Sequence, residues 1–444
     1  MTSAARPPLT RARRMRYAAY AVGVTVFVLA VVDGLLRWLD KRGDLDLSGK
    51  NDRAWRASGP PWVLGDDGRY HPDPKSDNVV HDHPFRAEKG DAWRVFFIGE
   101  SFLRGVPYRE VGTIHDWFRS ELSARYPRAK LEVVNGSMSA INSERVLQNV
   151  KYALAHDPDL LIVQTCNNEG TLPPSKVTAR LHELGTFRAF RKLLRGDDEG
   201  PVHTPQDPDV NAVRDHFRKN LESIVSLTAE RGVPLFLLVS PLNRRYEGNE
   251  AGLPLRGHTW EERAAPFSPC VEAGVATYRA GDPKRALDAL RQCDDVEALR
   301  WIGLSEFALG DHAASRRSLE AYVEVLPRNR CRPSFQAVVR EVVRGHAHAT
   351  LVDLDETISA RSPGRLPGPE WFTDYCHLNW EAQGLVADAL MDTLAQSGLG
   401  PRGKACLAGH EGCPPRRSRL SVVEEAMRRG ELTATADFQA GSGR

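Results

Sequence analysis

The chain has 444 residues, 41% hydrophobic and 27% charged, too long for one average domain and too apolar to stay disordered. Its 60 Lys+Arg against 58 Asp+Glu leave a net charge of +2, which excludes the concentrated basic surface of a dedicated nucleic-acid binder. The excess is local: Arg6, Arg11, Arg13, Arg14 and Arg16 crowd the first sixteen residues without an acid, and the remainder carries 55 basic against 58 acidic residues.

That basic arm, residues 1–16, runs into an apolar stretch. Tyr17 to Val32 is uncharged, and up to Leu36 only Asp33 interrupts. As a helix, residues 17–36 span about 30 Å, the thickness of a bilayer core. No small-x-small cleavage site follows, and Arg37, Trp38, Lys41 and Arg42 form an interfacial anchor. Residues 17–36 therefore read as an uncleaved transmembrane signal anchor, with a cleaved signal peptide as the alternative. The preceding arginines place the N-terminus in the cytoplasm and the bulk of the chain outside it, in a periplasmic or extracellular space.

Residues 37–90 are rich in Gly, Pro, Asp and His without sustained periodicity, and read as a linker and irregular entry segment. Asp77, His81, Asp82 and His83 fall there as a solvated polar cluster. Short apolar runs then alternate with helical patterns. The strands are Arg94–Gly99, Leu131–Val134, Leu160–Gln164, Leu235–Val239 and Thr350–Leu354; the helices are Ile114–Arg125, Ser143–Ala155, Asn211–Arg231, Arg332–Gly345 and Trp380–Gln396. Strands separated by helices predict an α/β fold, a mostly parallel five-stranded sheet covered on both faces.

Residues 270–326 break the alternation with two similar helix pairs. Each carries Gly-Asp between its helices, at Gly281-Asp282 and Gly310-Asp311, close to the ~34-residue period of a tetratricopeptide repeat. The segment reads as a tetratricopeptide-like insert resting on the main domain, and as a candidate partner-binding surface or lid. The stretch Arg188–Arg195 is basic and amphipathic, and reads as a solvated helix face. The tail, residues 398–444, reads as mostly disordered.

The seven cysteines contain no CxxC pair. Cys270 with Cys293, and Cys406 with Cys413, are candidate disulfides in an oxidising space. Cys406, His410 and Cys413 are too sparse a set for a metal centre.

Four loops carry candidate chemistry. The first strand ends Gly99-Glu100-Ser101, placing a serine where a doubly wound sheet presents its crevice. Asp374 and His377 lie three apart before the last helix; the carboxylate can fix the imidazole tautomer, and the other ring nitrogen can take a serine proton. The alternative is a pair of helix-capping residues. Asn168, in Cys166-Asn167-Asn168-Glu169, can donate its amide to an oxyanion. Asn135-Gly-Ser-Met-Ser-Ala140 holds small residues whose N–H groups can approach a ligand. Asp353 and Asp355 read as loop-shaping residues.

Taken in order, these blocks resemble the SGNH (GDSL-like) hydrolase superfamily over about residues 90–395, less the helical insert. Glu100 stands where the family has aspartate, Ala140 where it has the second-block glycine, and Asn168 matches the asparagine of Gly-x-Asn-Asp. His377-Leu378-Asn379 through Gly384 to Ala389 is similar to the family's final helix. The resemblance implies a flavodoxin-like three-layer α/β/α fold over residues 91–397. It implies Ser101 as nucleophile, His377 as base and Asp374 as its partner. The oxyanion hole would comprise the Ser101 and Ala140 N–H groups and the Asn168 side chain, with no metal or organic cofactor. The expected substrate is an O-acyl or O-acetyl ester such as a cell-envelope glycan. Acyl transfer through the same triad, or a non-catalytic scaffold, are the other readings. No strand is followed by a P-loop or GxGxxG, so a nucleotide-binding site is not expected.

Overall fold

The computed structural model describes residues 10–42, 44–45, 47, 60–73, 84–108, 112–170, 172, 180–181, 184–195, 210–247, 267–325 and 330–401. The cluster at Asp77–His83, the Cys406–Cys413 pair with His410, the residues before Thr10 and most of the tail lie outside these. The chain forms two units, one of residues 1–56 with 173–202 and one of 57–172 with 203–444.

In the smaller unit, Arg11–Arg42 is one 32-residue helix. Its stretch Arg11–Asp40 is long and apolar enough to cross a membrane, and Phe27, Leu29 and Val31 are exposed. A carboxylate in such a stretch needs partners. Asp33 has them: the Thr186 N–H and hydroxyl each donate at 2.9 Å, and Arg37 pairs at 2.6 Å. Arg188 pairs with Asp40. These contacts join the helix Gly185–Arg195 to the long one. They correct the reading of Arg188–Arg195 as a solvated face at its first residue, because Arg188 is buried. The remaining described face does expose Phe190 and Leu193.

In the larger unit, the main sheet comprises β4 (Trp93–Ile98), β5 (Leu131–Asn135), β6 (Leu160–Gln164), β7 (Leu235–Val239) and β8 (Ala349–Asp353). All neighbours are parallel, in the order β5-β4-β6-β7-β8. Side chains alternate across this sheet, as the two-residue strand period demands. Phe96, Ile98, Leu161, Val163 and Leu237 join one core, with Val150, Phe217 and Val339 from Ser143–Leu154, Val210–Glu230 and Pro333–Arg344. Val95, Phe97, Ile162, Phe236 and Leu238 join the other, with Phe118 and Leu390 from Ile114–Arg125 and Trp380–Ser397.

The supposedly irregular entry segment contains a second sheet, which corrects that reading. β1 (Trp62–Leu64), β2 (Arg69–Pro72) and β3 (Phe85–Arg86) are antiparallel. Trp62 and Phe85 anchor it on the first core, each with its ring 5.4 Å from Phe96. Strands this short show no periodicity, but Asp67-Gly68 was a readable hairpin turn, and Gly68 takes a φ of 71°.

The insert consists of four helices, Pro269–Arg279, Pro283–Leu290, Val296–Ala308 and His312–Val325. A side chain at Gly274 would collide with Leu290, and one at Gly303 with Leu319; both members of this close crossing recur after 29 residues. Asp282 and Asp311 repeat too, accepting from Arg285 N and Ala314 N at 3.0 Å. The cystine Cys270–Cys293 closes the first pair. Arg244 ties the insert to the sheet, with Glu320 at 2.9 Å on one side and Asp355 at 2.9 Å on the other. Asp353 caps the helix Leu354–Ser359, so both aspartates shape structure here.

Candidate active site

Ser101 opens a short helix, Ser101–Arg104, directly after β4. Gly99 makes that exit possible: a Cβ there would come within 2.7 Å of the Gln164 carbonyl oxygen on β6. The Glu100 N–H donates to Gln164 Oε1 at 3.2 Å, fixing the turn.

His377 Nε2 lies 2.7 Å from Ser101 Oγ, and its Nδ1 lies 2.5 Å from Asp374 Oδ2. Ser101, Asp374 and His377 are all buried. The second carboxylate oxygen of Asp374 accepts the backbone N–H of Cys376 at 2.8 Å and of His377 at 2.6 Å. The loop around them is closed by Thr373 N donating to the His377 carbonyl oxygen at 2.9 Å. Asn243 Nδ2 donates to the Asp374 carbonyl oxygen at 2.7 Å. Asn379, not Asp374 or His377, caps the following helix, accepting from Ala382 N at 3.0 Å. Burial pushes the Asp374 pKa up. The neighbouring imidazole charge and hydrogen bond, with the two backbone N–H groups, outweigh it and hold the carboxyl below its usual range.

Asn168 follows β6 on the turn Thr165–Glu169. It is buried, and its Nδ2 has no hydrogen-bond partner among the described residues. Ala140 sits on an exposed turn after β5, at a φ of 57°. That left-handed conformation favours glycine, the residue the family resemblance led one to expect. Met138 N donates to the Gly99 carbonyl oxygen at 2.9 Å, so this segment is stitched to the turn bearing Ser101. Asn135 is structural: its side chain takes Ser137 N at 3.1 Å and meets His115 Nδ1 at 2.9 Å.

Glu100 reaches under the Asn168 turn. Its carboxylate accepts Thr165 Oγ1 at 2.8 Å, Cys166 N at 2.9 Å and Asn167 N at 2.8 Å. Glu169 accepts Ser143 N at 2.6 Å and shares the Thr165 hydroxyl at 3.2 Å. Burial pushes Glu100 up to about 7, against those donors. Burial, then the Glu100 charge, pushes Glu169 up to about 8. Glu169 also takes the Ser143 hydroxyl at 3.0 Å, but the Glu100 charge beside it pushes it the higher of the two, so the pair holds a proton at neutral pH.

A cystine the sequence did not signal, Cys166–Cys331, is fully buried beside this turn. Its partners are 165 residues apart, and no spacing rule reaches that far. The donor atoms of Asp374, Cys376 and His377 lie within 4.8 Å of one another, but those of Asp374 and His377 are already engaged within the Ser101 relay.

No protein-family model and no curated protein matches the chain. Solved structures do. One is a psychrotrophic esterase of Pseudoalteromonas sp., at 10% identity and a TM-score of 0.31, covering 68% of this chain and 97% of that one. A catalytic mutant of an acetylxylan esterase of Geobacillus stearothermophilus matches at 14% and 0.34, covering 68% and 94%. A lipase/acylhydrolase of Enterococcus faecalis matches at 12% and 0.35, covering 70% and 99%.

Proposed function

We propose that the protein is a membrane-anchored serine ester hydrolase of SGNH type, acting on O-acyl esters. The observation that carries this is the Ser101–His377–Asp374 relay, with contacts of 2.7 and 2.5 Å. Ser101 Oγ attacks the acyl carbonyl as His377 Nε2 takes its proton. Asp374 holds the imidazole in the tautomer that can accept at Nε2, and stabilises the imidazolium that follows. The Asn168 amide and the N–H groups of Ser101 and Ala140 receive the oxyanion. His377 then returns the proton to the leaving alcohol, and water, or a sugar hydroxyl in the transferase variant, attacks the acyl-enzyme.

The scaffold is a flavodoxin-like three-layer α/β/α domain, supported by the strand order and by the two separate cores. The 29-residue recurrence of glycine on leucine supports a tetratricopeptide-like insert, which serves as a partner surface or lid. The exposed apolar helix Arg11–Arg42 supports an anchor with a cytoplasmic N-terminus and an extracytoplasmic catalytic domain. Two cystines favour that oxidising side, and a cell-envelope glycan ester is a substrate such an enzyme would meet there.

The test is labelling of the full-length protein in detergent with a serine-directed fluorophosphonate, using Ser101→Ala as control. Labelling at Ser101 together with acetyl-ester turnover is expected. A folded protein that neither labels nor turns over is a scaffold instead.

A further inference from the structure

Several buried arginines among the described residues pair with carboxylates. Arg94 pairs with Glu132 at 2.7 Å, Arg244 with Asp355 at 2.9 Å, and Arg300 with Glu297 at 3.0 Å. Arg330 is 3% exposed. Its Nε and Nη2 have no hydrogen-bond partner among the described residues, and no carboxylate there pairs with it. An unpaired buried cation costs several kcal/mol. Two aromatic faces offset part of this. The Arg330 Cζ lies 4.8 Å from the centre of the Tyr246 ring and 5.2 Å from that of Tyr375. The two ring centres are 6.3 Å apart, so both rings pack on one side of the guanidinium, and its Nε and Nη2 stay without an acceptor among the described residues. Nε and Nη2 form the edge that donates two parallel hydrogen bonds to a carboxylate or phosphate.

The position of this edge is informative. The Tyr375 ring is 6.1 Å from that of His377. Cys331, the next residue after Arg330, is bonded to Cys166, two residues before Asn168. Other orphaned polar atoms stand on the same segments: both side-chain polar atoms of Asn167, and Oδ1 of Asn243.

We propose that Arg330, packed against Tyr246 and Tyr375, binds an anionic group of the substrate next to the Ser101 site. This deepens the ester-hydrolase reading and rests on it for the word substrate. The ligand class is an ester carrying a carboxylate or phosphate, on either its acyl or its alcohol side.

Binding and turnover test this separately, on the full-length protein in detergent. In the binding arm, glucuronate and succinate are compared with glucose for their effect on the melting temperature. At least one anion raises it, glucose does not, and Arg330→Gln abolishes the rise while Arg330→Lys retains part of it. In the turnover arm, p-nitrophenyl hemisuccinate is compared with p-nitrophenyl acetate, and O-acetylglucuronate with O-acetylglucose. One anionic ester exceeds its neutral partner by about 10–100-fold in kcat/KM, the range of a charge-assisted contact. The pair that shows it identifies the side of the ester bearing the charge. No anion stabilisation in the unaltered protein overturns the proposal, whatever the variants do; so does a rise that survives in folded Arg330→Gln. Failure of fluorophosphonate to label Ser101 sinks the hydrolase reading and leaves the binding arm to decide on Arg330.

Discussion

Two loops reach the Glu100–Ser101 turn, and they are built in opposite ways. The loop Thr373–Asn379 uses its polar groups internally: Asp374 serves two backbone N–H groups and an imidazole, and Asn379 caps a helix. The loop Thr165–Glu169 is held by the buried carboxylates of Glu100 and of its own Glu169 but leaves both side-chain polar atoms of Asn167 and Nδ2 of Asn168 without partners among the described residues. A group that only relays a proton can be satisfied before substrate arrives. A group that must meet the substrate has to stay unsatisfied until then.

The strongest way to break this comparison is Asp374→Asn. It preserves shape but reverses the hydrogen bond that sets the His377 tautomer, and a loss on the order of 10⁴-fold in kcat is expected. A loss under tenfold in a folded variant would show the relay to be incidental. Asn168→Ala comes next, lowering kcat by about 10²–10³-fold with KM little changed; an effect confined to KM would make Asn168 a ground-state contact.

The carboxylates under the turn give a stability signature. Glu169 is raised from an ordinary 4.5 to about 8, so the folded chain holds a proton that the unfolded chain releases. This group's contribution to stability is therefore full below about pH 4.5 and is lost as pH rises through about 8, opposite to the acid-side loss from lowered carboxyls such as Asp374. Melting temperature should fall between these limits, and Glu169→Gln, which cannot ionise, should flatten the decline. An equal slope in both proteins would place the titrating group elsewhere. The smallest effect is expected from Ala140→Gly. Relieving a left-handed alanine should stabilise the fold by about 1 kcal/mol, and a lower midpoint in urea would contradict this.

What the sequence disclosed follows from the range of each signal. Buried runs such as Leu160–Gln164 and Leu235–Val239 announced their strands, because a strand covered on both faces has to be apolar throughout. Asp374 and His377 were legible as one local motif, and Ser101 as the end of a strand. β1 and β3 were not, since two or three residues carry no period and their anchors Trp62 and Phe85 depend on a distant Phe96. Nor was the packing of Gly185–Arg195 on the first helix, which rests on contacts such as Thr186 with Asp33. Arg330 was silent for a different reason: what marks it is a missing partner, and only coordinates show that.

If Asn168 and Arg330 have the roles proposed for them, the cystine Cys166–Cys331 is a ruler for selectivity. Its two Cα atoms are 4.8 Å apart, with Asn168, the proposed oxyanion donor, two residues beyond one end and Arg330 one residue before the other. Under those proposed roles the scissile carbonyl and the substrate's anionic group would be read at a fixed separation. Among positional isomers of one acylated, charged molecule, the enzyme would cleave the isomer whose ester and charge span that gap.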